Sequence, residues 1–236
     1  MKKAAIEALP QVQQASRVLA ELENQGLIEP AIASGWTRGF LTDTTPSDID
    51  ISYVGTVPHE RAREYLRTIL DEVKPAGDWD VNGIWNAQQA YGLRHTVENY
   101  LRFYVCSIDT VYLAADGKLH DPTGYGFKDA MGRVLRLNTY DTEDGRMPTP
   151  AEDVYVCMEG CRRMAKLGWT PTSGSVERIK NGVRNWDRLS PSEQERQIVK
   201  KVIGKYSSKE FNRAKAVYAK YGWGFVFDLA MQAGRA

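Results

Sequence analysis

The chain has 236 residues, 42% of them hydrophobic, and a formal net charge of +1 at pH 7, enough for one large or two small domains whose core needs no covalent staples. No apolar run approaches the roughly 20 residues of a membrane span, and Met1-Lys2-Lys3 leads into no apolar signal-peptide core, which predicts a soluble cytoplasmic protein and excludes a membrane role. Three cysteines make no disulfide framework, and charge is uneven: from Ala151 onward 16 basic residues stand against 9 acidic ones, whereas residues 1–150 carry 15 against 21.

In chain order, Val12, Ala15, Val18, Leu19 and Leu22 recur at helical spacing between Ala4 and Gln25 and predict a helix that Gly26 ends. Ala31 to Ala33 predicts a short strand leading into a Ser34-Gly35 turn. Trp36 to Leu41 predicts a brief helix whose first amides face an anion. After a turn at Thr44-Thr45-Pro46, the run Asp48-Ile49-Asp50-Ile51 alternates as a strand does, with both carboxylates on one face and both isoleucines toward the core. Two carboxylates near a glycine-bearing turn suit a hard divalent cation and point to metal-assisted phosphoryl or nucleotidyl transfer.

Pro58 suits the first turn of an amphipathic surface helix over His59 to Val73. The stretch from Lys74 to Gln89 reads as loop with one strand near Trp79 to Val81. Val97 to Cys106 predicts a strand with Val97, Leu101, Phe103 and Val105 on one face and Glu98, Tyr100, Arg102 and Tyr104 on the other. A further segment, Ser107 to Ala114, precedes the Asp116-Gly117 turn, and His120 to Leu137 predicts a shaped loop before a short helix or strand. The polar stretch Asn138 to Pro150 is where a domain boundary is predicted, giving residues 1–148 and 149–236. Beyond it, Ala151 to Leu167 predicts a helix with Val154, Cys157, Met158, Cys161 and Ala165 inward. No histidine lies near Cys157 and Cys161, so they are read as core residues and not zinc ligands. Ser190-Pro191 with Glu193 supplies cap chemistry for another helix bearing Ile198, Val199, Val202 and Ile203. The outline is α+β in front and all-helical behind.

Taken together, these residues resemble the tRNA nucleotidyltransferase (CCA-adding enzyme) and bacterial poly(A) polymerase family, within the polymerase-beta-like nucleotidyltransferases. The family's glycine pair, Val-Arg-Asp and Asp-Ile-Asp look like Ser34-Gly35-Trp36-Thr37-Arg38 followed by Asp48-Ile49-Asp50. Its Asp-Pro-x-Gly-Gly-x-x-Asp-Leu stretch is similar to Asp121 to Asp129, one residue longer here, and its Glu-Asp-x-x-Arg run ending in Leu-Gly-Phe resembles Glu152-Asp153, Arg162-Arg163 and Leu167-Gly168-Trp169.

The resemblance implies a nucleotidyltransferase head, a small mixed sheet with helices, followed by an all-helical domain that binds nucleotide and RNA. It further implies two-metal-ion addition of nucleotides to an RNA 3′ end. Asp48 and Asp50 would bind Mg²⁺ or Mn²⁺ and be the catalytic residues. Ser34, Gly35 and Arg38 would hold the triphosphate, Asp153 the base, and Arg162 the base or a phosphate. The partners would be ATP or CTP and an RNA, tRNA in particular, with no membrane. The chain departs from the family at Val156 and Glu159, where arginines are expected, and at Phe103 to Ser107, where an Arg-Arg-Asp run is expected; Gly39 replaces an acid. A third carboxylate on a neighbouring strand is assigned to Glu98 or Asp109. Two alternatives stay open: the same fold acting on a protein or small-molecule acceptor, and a non-catalytic RNA-binding homologue.

Overall fold

A computed structural model describes residues 3–44, 48–83, 96–101, 104–138 and 149–232. Contacts divide the chain into two compact units, Met1–Gly132 with Asn138–Arg146, and Arg133–Leu137 with Met147–Ala236. Among the described residues no helix is long and apolar enough to cross a membrane.

In the first unit a short helix α1 (Lys3–Glu7) precedes α2 (Pro10–Asn24). The five apolar residues of the predicted stripe on α2 are all fully buried, and the chain leaves the helix through Gly26 at φ +96°, a conformation glycine adopts without steric cost. Then come β1 (Ile28–Ile32), α3 (Gly35–Thr42), β2 (Ile49–Val54), α4 (His59–Val73) and β3 (Trp79–Gly83). A helix α5 (Val97–Leu101) and a 3₁₀ turn (Ser107–Asp109) lead to β4 (Tyr112–Ala114), β5 (Leu119–His120) and α6 (Gly126–Gly132).

The sheet runs β3-β2-β1-β4-β5, with β2 and β3 parallel and the other neighbours antiparallel. A parallel pair needs a crossover, and α4 is that crossover. One sheet face buries Ile32, Ile51, Tyr53, Val81 and Leu113 against α2 and against Ala62, Leu66 and Ile69 of α4. The opposite face gathers Ala31, Val54, Val97 and Leu101. Because strand residues alternate, Asp50, Ser52 and Val54 lie on this second face.

The strand predicted over Val97 to Cys106 is instead helix α5 over Val97–Leu101, with bends and an isolated bridge over residues 104–106. Thr96 Oγ1 accepts the Asn99 amide at 3.1 Å, the Glu29 carboxylate accepts the Val97 amide at 2.9 Å, and Val97 and Leu101, four apart, are both buried. A four-residue repeat fits helix and strand equally, and here the cap decides. Arg102 and Phe103 lie outside the described residues.

The second unit contains α7 (Pro150–Leu167), α8 (Ser173–Gly182), a 3₁₀ segment (Val183–Arg188), α9 (Pro191–Lys201), α10 (Ser208–Lys220) and α11 (Phe225–Gln232). A two-stranded parallel pair, β6 (Val134–Leu135) with β7 (Thr170–Pro171), joins them. The N-termini of α7, α9 and α10 are closed by capping boxes, Thr149 with Glu152, Ser190 with Glu193 and Ser207 with Glu210, each satisfying two amides that a helix start leaves open. Helix α7 is buried around most of its girth, Cys157 and Cys161 included. Neighbouring helices are bonded by buried polar tips: Tyr218 Oη donates to the Met158 carbonyl at 3.0 Å and Trp223 Nε1 to the Ile179 carbonyl at 2.8 Å.

Candidate functional site

In the first unit, Asp48 directly precedes β2 and Asp50 lies within it, and both are exposed. The parallel register sets Asp50 opposite Asp80 of β3, so these two side chains share one sheet face. Burial, then Asp80, then Asp48 push the Asp50 carboxyl above its ordinary range, as desolvation and like charge must. Asp80 is held below its ordinary range, chiefly by the Arg63 guanidinium, which donates from Nε and Nη2 to its two oxygens at 3.1 Å each.

Among the described residues no three His, Cys, Asp or Glu side chains converge in metal-holding geometry. The donor chemistry nevertheless fits a hard divalent cation: two exposed carboxylates two residues apart supply oxygen ligands, and their mutual repulsion is what a cation relieves. Asp80 was not among the sequence candidates for a third carboxylate. Asp109 is taken by Arg38 in a close ion pair, and Glu98 lies on α5 beside Tyr112; the acid that the fold sets against Asp50 is Asp80.

Ser34 begins α3 at φ 60°, ψ −117°, a region in which an L side chain is strained and glycine is at ease. The Ser34 amide donates to the Asp109 carbonyl at 3.2 Å, and Thr37 Oγ1 donates to the Val111 carbonyl at 2.8 Å. The Arg38 guanidinium is drawn to the buried Asp109 carboxylate. Helix α3 is thereby tied to the 3₁₀ turn. Removing the side chain at Ser34 relieves local strain, so Ser34→Gly is expected to stabilise the first unit by about 1 kcal/mol and raise its midpoint by roughly 2–4 °C. Differential scanning calorimetry checks this, and a lowered midpoint contradicts it.

The loop from Asp121 has a structural role. Asp121 accepts from the Gly124 amide at 3.1 Å and the Phe127 amide at 3.2 Å, while Asp129 accepts from Ser107 Oγ at 2.6 Å. These bonds hold the turn that carries Asp109.

In the second unit Asp153 is near the start of α7. Its Oδ1 receives Arg178 of α8 at 3.3 and 3.4 Å and its Oδ2 receives Asn185 Nδ2 at 2.9 Å. Arg162 is nine residues further along the same helix, roughly 13 Å by helical rise, and donates to buried Glu159. The two residues expected to share a base are thus separated, and Asp153 is partnered by Arg178. Val156, where the family carries arginine, is a fully buried core residue. Gly182 packs against this site: a methyl there would overlap Cys157 Sγ and lie 3.2 Å from Asp153 Oδ2. Gly182→Ala is expected to cost about 1–3 kcal/mol by overpacking, read as a lower urea midpoint.

No protein-family model and no curated protein matches the chain. Solved structures do. The chain is similar to a tRNA-processing enzyme in an apo form (14% identity, TM-score 0.66, 92% of this chain and 58% of that one). It is also similar to the Bacillus stearothermophilus CCA-adding enzyme in complex with CTP (17%, 0.62, 92% and 53%) and the Thermotoga maritima CCA-adding enzyme complexed with tRNA (14%, 0.65, 94% and 54%). The chain has a tRNA nucleotidyltransferase-like fold. It spans little more than half the length of these structures. In a nucleotidyltransferase-like fold of this size, a mixed five-stranded sheet carries the acidic pair and a separate helical unit carries Asp153.

Proposed function

We propose that this chain is a cytoplasmic nucleotidyltransferase that transfers nucleotides from ATP or CTP to an RNA 3′ end, tRNA in particular. Residues 1–148 are the catalytic part and residues 149–236 the nucleotide- and RNA-binding part. The observation that carries the reading is the Asp48–Asp50 carboxylate pair at the start of β2 of this fold, with the Asp50 carboxyl raised by partial desolvation and by Asp80 and Asp48. Two carboxylates this close in sequence supply the hard oxygen ligands that a divalent cation takes, and a bound cation would relieve their repulsion.

Asp48 and Asp50 would hold Mg²⁺ or Mn²⁺, which when bound supplies charge neutralisation at the reacting phosphate and activation of the acceptor hydroxyl. At the Ser34-Gly35 turn the Ser34 amide is taken by the Asp109 carbonyl, so the following amides of the first turn of α3 would meet the triphosphate, with Arg38 beside them. In the helical unit Asp153 accepts from the amino group of a base, and Arg162 adds positive charge for a base or phosphate.

Val156 and Glu159 favour a second reading, the same transfer to a protein or small-molecule acceptor, because the arginines associated with base selection are replaced by a core residue and a buried acid. Incubation with each labelled triphosphate, Mg²⁺ or Mn²⁺, and tRNA with or without its 3′ CCA separates them. Label on trimmed tRNA alone supports end repair, and ladders of A support polyadenylation. Label on another acceptor, lost in Asp48→Ala, rejects the RNA reading.

A further inference from the structure

Arg63 is placed where the cation site should be read from. The register that pairs Asp50 with Asp80 puts two carboxylates on adjacent strands, whose backbones run about 4.8 Å apart. Both Asp80 oxygens are already engaged elsewhere. Strand β3 ends the sheet, and across that edge α4 extends Arg63, whose guanidinium grips both Asp80 oxygens at 3.1 Å; Asp80 Oδ1 also accepts the Val81 amide at 2.9 Å. The pair is half exposed on both sides, 49% for Arg63 and 43% for Asp80, so it contributes little to fold stability and opens readily. His59 and Glu60 flank it on the same helix. By contrast Arg61, carrying the same charge on the same helix, pairs with Glu64 and leaves the sheet alone.

We propose that Arg63 is a positioning residue for the cation: it holds Asp80 as a reserve ligand at the sheet edge and yields it when a divalent ion joins Asp48 and Asp50. Guanidinium and cation compete for one carboxylate. With Asp80 parked on Arg63, the guanidinium offsets part of the charge that Asp80 exerts on the acidic pair while the ion is absent. With Asp80 released, the ion gains another hard oxygen ligand. This rests on the reading of Asp48 and Asp50 as a cation seat.

The test is Mn²⁺ binding to the full chain without nucleotide or RNA, followed by electron paramagnetic resonance, in wild type, Arg63→Gln, Asp80→Asn and the double variant. Arg63→Gln should tighten binding roughly fivefold, Asp80→Asn should weaken it, and Arg63→Gln should have almost no effect in the Asp80→Asn background. Arg61→Gln should match wild type. An Arg63→Gln effect that persists undiminished without Asp80, or that Arg61→Gln reproduces, means a general field and overturns the proposal. So does unchanged affinity in Arg63→Gln when wild type binds. Failure of wild type to bind Mn²⁺ at millimolar concentration overturns the cation seat itself, a separate result.

Discussion

On the cation-seat reading proposed above, Asp50→Asn is expected to cut nucleotide transfer sharply while making the chain more stable at neutral pH. The rate should fall on the order of a thousandfold, the equivalent of about 4 kcal/mol of transition-state stabilisation, because the amide keeps the shape of the side chain but not its charge. The stability gain follows from linkage. Burial, Asp80 and Asp48 raise the Asp50 carboxyl above its unfolded value, so the folded state binds the proton more tightly and loses stability as pH rises from the unfolded to the folded value. Above that window ionised Asp50 is a standing cost that asparagine removes; below it, Asp50 is protonated and the variant has no advantage. Thermal midpoints across the acid range, set beside labelled-nucleotide transfer at neutral pH, check both halves. A variant that is inactive but less stable than wild type at neutral pH would show that Asp50 serves the fold, not a ligand.

The local parts of this fold were legible in the sequence because their signals are local. The α2 stripe is one helical period repeated, and Ser190-Pro191 with Glu193 announces α9 through a bond three residues long. Asp48 and Asp50 stand out for the same reason, two residues apart where β2 begins. What failed, or was missed, turned on particular side-chain partners, several of them distant in sequence. Val97 and Leu101 satisfy a two-residue and a four-residue period alike, and the Thr96 cap and Glu29 carboxylate that settle the matter involve positions not weighed. Asp80 meets Asp50 only through the crossover that sets the β2–β3 register. Arg178 reaches Asp153 from 25 residues away, while Arg162, in the expected place in sequence, is held by Glu159 on the next turn of its own helix.

Glu159→Gln is expected to be the most damaging single change in the helical unit. One buried carboxylate there receives Arg162 Nε and Lys201 Nζ, each at 2.7 Å, and forms an ion pair with Arg163, whose Nε is 3.0 Å away; Lys201 also lies 3.6 Å above the Tyr155 ring. Burial pushes the Glu159 carboxyl up, but the Arg162 hydrogen bond and the charges of Arg163, Lys201 and Arg162 outweigh it and bring it down to about 2. Glutamine leaves three cations gathered without their anion, a loss of about 3–5 kcal/mol. The pH dependence has the opposite sign to that of Asp50. With the folded value depressed from 4.5 to about 2, the stabilisation is fully present above pH 4.5 and is lost as pH falls toward 2, about 3 kcal/mol in all. The readout local to this carboxylate is hydrogen exchange of the α7 amides. Protection in wild type should fall between pH 4.5 and 2 more steeply than in Glu159→Gln, after correction for intrinsic exchange. Near-equal protection of wild type and variant at neutral pH would mean that solvent, not Glu159, balances these cations. It would also mean that an acid in place of the family arginine is incidental to how the helical unit holds together.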